Sequence, residues 1–165
     1  MGNKKIVIFL SIFLFLYSCA PVYWDIKKSF RKPGETFKEH PEKIWKEYQC
    51  SQKKLPYIEI TKYEVLPPEL LPGEEINQHF EYIMCPKFPA QVIQGVLYRR
   101  IYYKGQVIFE DITKDFEFKP GKWAVDAFIT VPPSAPAGVY YLSMEFKSPK
   151  FKIKKGQDFV VKPKK

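Results

Sequence analysis

The stretch Tyr57-Ile58-Glu59-Ile60-Thr61-Lys62-Tyr63-Glu64-Val65-Leu66 alternates apolar with polar side chains and stops at Pro67-Pro68. Successive strand residues point to opposite faces, so this pattern predicts a half-buried β-strand. Pro72-Gly73 opens a second segment in which Ile76, Phe80, Tyr82 and Met84 share one face and Asn77, His79 and Glu81 the other. Val96 to Tyr103 and Val107 to Ile112 flank Lys104-Gly105-Gln106, a hairpin with a glycine in its turn. After Pro120-Gly121, one face collects Trp123, Val125, Ala127, Ile129 and Val131. Val139 to Lys147 and Asp158 to Lys162 complete the set. With no long helical period between the turns, the pattern predicts an antiparallel sandwich of about seven strands over residues 55–163.

Composition agrees with one such domain. The chain has 165 residues, a length that leaves little room for a second core. Three Trp, 11 Tyr and 14 Phe are too much apolar bulk for a disordered polar chain. Three Cys are too few for a disulfide-dense mini-protein, and two His leave little scope for a histidine-rich metal site.

The segment Pro136-Ala137-Gly138-Val139-Tyr140-Tyr141-Leu142 resembles the tyrosine corner of immunoglobulin-like domains, which sits at the start of the sixth strand. The resemblance implies an immunoglobulin-like β-sandwich in which the Tyr140 hydroxyl bonds back to the preceding loop. Gly138 would allow the tight approach. The chain departs from antibody domains in two ways, having neither a disulfide between the second and sixth strands nor an obvious core tryptophan on the third. The likeness points to a bacterial immunoglobulin-like module and carries no function.

At the other end, Lys4 and Lys5 precede an apolar run from Ile6 to Tyr17, too short for the roughly 20 residues of a membrane span. A charged start and an apolar stretch of this length predict an export signal over residues 1–18. Leu16-Tyr17-Ser18-Cys19 resembles the lipobox of bacterial lipoproteins, with Tyr17 an unusual middle residue. That resemblance implies acylation of Cys19 and anchorage to the lipid bilayer. Ala20 after the cysteine implies delivery to the outer membrane, with the domain facing the periplasm. Loss of Lys4 and Lys5 with the signal lowers the net charge from +9 to +7.

Residues 19–54 read as a lipidated tether and one short helix. Lys27, Lys28, Arg31 and Lys32 make the tether basic, either to meet acidic headgroups or simply as a solvated linker. PEKIWKEYQ, residues 41–49, reads as a helix with Pro41 at its first position and Ile44, Trp45 and Tyr48 on one face. An exported chain meets an oxidising space, so Cys50 and Cys85, left after lipidation of the third cysteine, form a disulfide pair. The alternative is soft-metal binding by His79, Met84 and Cys85, although Met84 has the opposite strand parity.

No catalytic set emerges. Two histidines give no Ser-His-Asp arrangement, and G-x-S-x-G, G-x-x-x-x-G-K and H-E-x-x-H are absent from the sequence. Adjacent Glu110 and Asp111 on a strand face opposite ways and cannot work as an acid–base pair. The expected protein is therefore not an enzyme, and needs no metal or other cofactor. Its expected role is to bind an envelope protein as an accessory or assembly factor. The alternative is an anionic envelope glycan or lipid held by Lys150, Lys152 and Lys154, which alternate with Phe151 and Ile153. Lysines on an edge strand would equally serve to discourage edge-to-edge pairing. In Tyr98-Arg99-Arg100-Ile101-Tyr102-Tyr103, one parity must be core and the other a potential binding face. Nucleic acid is a poor partner for an exported chain despite its basic charge.

Overall fold

The computed structural model describes residues 20–164. The export signal and Cys19 lie outside those residues. Residues 20–32 belong to one compact unit and residues 33–164 to a second. In the first unit, Ala20–Ser29 is helix α1, with Lys27 and Lys28 in its last turn at the negative end of the helix dipole.

The second unit contains β1 (Gly34–Glu39), α2 (Pro41–Glu47) and a single 3-10 turn at Cys50–Gln52. Then come β2 (Tyr57–Leu66), β3 (Glu69–Leu70), β4 (Glu75–Cys85), β5 (Ile93–Tyr103) and β6 (Gln106–Phe118). The last strands are β7 (Gly121–Thr130), β8 (Gly138–Lys147) and β9 (Lys152–Val161). They form two sheets, ordered β1-β7-β4-β2 and β3-β9-β8-β5-β6. The molecule is an all-β sandwich. With β2, β4 and β7 as strands A, B and E, and β5, β8 and β9 as C, F and G, the strand order is that of an immunoglobulin-like fold. β1 takes the fourth place of the first sheet.

Alternation explains the long strands. Phe80, Tyr82 and Met84 of β4 cluster with Leu97, Met144 and Phe146 of the facing sheet, and Ile76 clusters with Ile101 and Leu142, all of them buried. Each such side chain contributes about 1.5–3 kcal/mol on burial. Tyr63 packs against both apolar clusters of the interior; its hydroxyl donates to Leu142 O at 3.0 Å and accepts from Gln78 Nε2 at 2.8 Å. Burial pushes that phenol far above its ordinary range. Lys104 and Gly105 both have positive φ, as a two-residue hairpin turn requires.

Among the described residues the seven long strands are joined by β1 and the two-residue β3, which pairs with β9 in parallel. Two expectations need correction. The domain begins near residue 33 and not 55, since β1 pairs with β7. Its backbone approaches β7 so closely that a Cβ on Gly121 would lie 2.6 Å from Glu39 O, and Gly121 has φ +96°. Residues 20–29 are helical, where an irregular tether was expected. Helix α2 buries Ile44 with Cys50, Ile83 and Cys85 and packs Tyr48 beside them, but Trp45 remains 37% exposed.

Candidate functional site

Cys50 and Cys85 are joined in a disulfide, with Cα atoms 5.6 Å apart. That bond, and the burial of Met84 on the core face, overturn the soft-metal alternative. His79 is occupied differently: its Nδ1 lies 3.0 Å from Asp126 Oδ1, and its Nε2 3.4 Å from Glu81 Oε1. Tyr140, near the start of β8, donates to Pro136 O at 2.7 Å. Its ring stacks between Tyr103 and Phe159, at centroid distances of 4.6 and 5.4 Å. These residues hold the fold and offer no ligand surface.

The five-stranded sheet resolves the open question about residues 98–103. Leu97 and Ile101 point into the core, so Arg99 of the same parity also points inward, donating to Asp111 Oδ2 and Thr113 Oγ1 at 2.9 Å each. Tyr98, Arg100 and Tyr102 therefore lie on the outer face. Their neighbours there are Tyr141, Ser143, Glu145 and Lys147 of β8, then Lys152 and Lys154 of β9. Arg100 bonds Glu110 on β6 and Glu145 on β8, the latter at 2.9 Å. Its guanidinium carbon sits 4.5 Å from the centroid of the Tyr98 ring, and Lys147 Nζ lies 5.1 Å from the same ring. Lys154 Nζ lies 5.9 Å from the Tyr102 ring, which packs 6.1 Å from Tyr141. Burial opposes ionisation of Glu145, but Lys147 and Arg100 more than offset it and hold its carboxyl below the usual range. The face is thus a set of rigid tyrosines fixed by cations. Exposed Ile108 and Ile112 on β6 extend it.

The three candidate lysines do not form one surface. Lys152 and Lys154 lie on β9, and Lys152 Nζ is 3.5 Å from Glu145 Oε1. There β9 is a free edge, because β3 reaches only Val160 and Val161. Lys150 precedes the strand and joins a different feature, a cleft of about 690 Å³ at the end of the sandwich. The cleft is lined by residues 54–58, by Lys87, Phe88 and Gln91 of the β4–β5 loop, and by Lys150 and Phe151 of the β8–β9 loop. The B–C and F–G loops that carry antigen-binding residues in antibodies occupy this same end. Lys54, Lys87 and Phe88 were not singled out in the sequence; only folding brings these three separate loops together.

No family model matches the chain, and no curated protein does. Among solved structures, the sporulation control protein Spo0M of Bacillus subtilis aligns at 15% identity and a TM-score of 0.48, over 65% of this chain and 50% of its own. An alkylpurine DNA glycosylase, AlkC of Pseudomonas fluorescens, aligns at 16% identity and 0.47, over 64% of this chain and 30% of its own. A family 123 glycoside hydrolase from Clostridium perfringens gives 12% identity and 0.40, over 56% and 21%. The chain thus spans half or less of the length of these structures. Likenesses this distant carry no argument about activity.

Proposed function

We propose that this chain is a non-catalytic lipoprotein, anchored through acylated Cys19 to the outer membrane and facing the periplasm. Its sandwich binds another envelope protein as an accessory or assembly factor. The observation that carries the reading is the outer face of the five-stranded sheet. Tyr98, Tyr102 and Tyr141 present rigid amphipathic rings around Arg100, the residue types most often dominant in protein interfaces. Aromatic anchors already held by neighbouring cations lose little freedom on binding. The anchor rests on the lipobox resemblance alone.

The test is crosslinking in cells, with a photoreactive residue placed at Ile112 on the face or at Lys62 on the other sheet. One reproducible envelope protein should be captured from Ile112 and not from Lys62, and Tyr98→Ala with Tyr102→Ala should abolish the capture. Equal capture from both positions would remove the face from consideration. Separately, Cys19→Ser should move the protein from the membrane to the soluble fraction.

A further inference from the structure

We propose that the cleft at the β4–β5 and β8–β9 end binds an amphipathic anion, namely the carboxylate and chain of a single fatty acid. This site is distinct from the sheet face and independent of the protein partner proposed for it. A volume of about 690 Å³ falls within the range of small-ligand sites, roughly 300–1,000 Å³.

The lining fixes the chemistry. Lys54, Lys87 and Lys150 come from three separate segments, and no Asp or Glu lines the cleft. Among the described residues none of the three is paired with a carboxylate, whereas Lys147, Lys152 and Lys162 elsewhere on the domain all are. The nearby Glu59 carboxylate is taken by the Tyr57 hydroxyl at 2.7 Å. Three unneutralised cations around one opening call for an anion. Leu55, Pro56, Ile58, Phe88 and Phe151 supply apolar walls that a bare inorganic anion would leave wet. Phe88 is 57% exposed, a large apolar cost for a residue with no core role.

The walls are held in place. Cys50–Cys85 ties the turn before residues 53–56 to the strand end before residues 86–92, so one bond sets two of the three walls. Gln91 Oε1 accepts from Lys87 N at 2.6 Å and closes the second wall's loop. Phe151 N donates to Ser148 Oγ at 3.0 Å and Ser148 N to Phe151 O at 2.8 Å, closing the third.

The full chain in neutral phosphatidylcholine nanodiscs should be photolabelled with a diazirine-bearing fatty acid, and the labelled peptides mapped by mass spectrometry. Label should concentrate on residues 54–58, 87–91 and 150–151. It should be competed by dodecanoate but not by inorganic phosphate or dodecanol. Lys54→Ala, Lys87→Ala and Lys150→Ala together should cut the labelling about tenfold or more. All three lysines are exposed, so the variant should fold, and an unchanged thermal midpoint checks this. Phe88→Ala alone should weaken labelling without altering the charge. Label spread evenly along the chain, competition by phosphate, equal competition by dodecanol, or an undiminished signal in the triple variant would each overturn the site.

Discussion

Two glycines show how one missing carbon can serve different ends. A Cβ on Gly95 would overlap the Lys147 carbonyl oxygen and the Phe146 ring, both fixed by strand pairing and core packing. Gly95→Ala should therefore cost about 1–3 kcal/mol, the range for overpacking a core. At Gly156 the added carbon would instead overlap the Tyr141 hydroxyl, the far end of a side chain that can swing away. Gly156→Ala should unfold at nearly the wild-type denaturant concentration yet weaken photo-capture from Ile112, because Tyr141 no longer lies across β9. Equal destabilisation by both changes would refute the distinction. Tyr140→Phe keeps the stacked ring and removes only the bond to Pro136 O, so urea unfolding should report a loss of about 1 kcal/mol.

At the scale of elements, the disulfide is the largest single constraint. It closes a separation of 35 residues, for which chain entropy gives about 4 kcal/mol. Replacing both cysteines by alanine should lower the unfolding free energy by roughly 2–5 kcal/mol in a denaturant titration. It should also reduce fatty-acid labelling of the cleft more than partner capture at the sheet face, since only the cleft depends on the bridged segments. Which elements could be read in the sequence follows from burial. β4 and β7 were legible because one parity is apolar at Ile76, Phe80, Tyr82 and Met84 and at Val125 and Ile129, while Asn77, His79, Glu81, Lys122 and Asp126 mark the other. β1 was not, because GETFKE buries none of its side chains and is held by backbone pairing and the Phe37–Trp123 ring contact at 5.1 Å. Residues 98–103 carried tyrosine and arginine on both parities; only the position of Ile101 in the core, with Arg99 bonded to Asp111 and Thr113, separates the faces. In the sequence, alternation runs without a break through Lys150, Lys152 and Lys154, but the strand begins only at Lys152.

For the whole molecule, acid is the condition that separates its two kinds of electrostatics. Burial disfavours the ionised form of Glu81, yet Lys122 at 3.0 Å and the His79 ring outweigh it and hold the carboxyl below its ordinary value of 4.5. Glu145 behaves in the same way between Lys147 and Arg100. A carboxyl whose folded pKa is depressed adds stability above its unfolded pKa, and that share vanishes as pH falls through the folded value. Acid also raises a formal charge that already stands at +9, adding self-repulsion across the whole surface. Salt distinguishes the two, because added ions screen exposed charges far more than half-buried pairs. Denaturant midpoints measured from pH 7 to pH 3 should fall below pH 4.5, and raised salt should recover only part of the loss. Glu81→Gln with Glu145→Gln should be less stable than wild type at pH 7, and the gap should close as pH falls through the folded pKa of the two wild-type carboxyls. A gap between the two proteins that stays constant over that range would mean that these ion pairs contribute nothing through their ionisation.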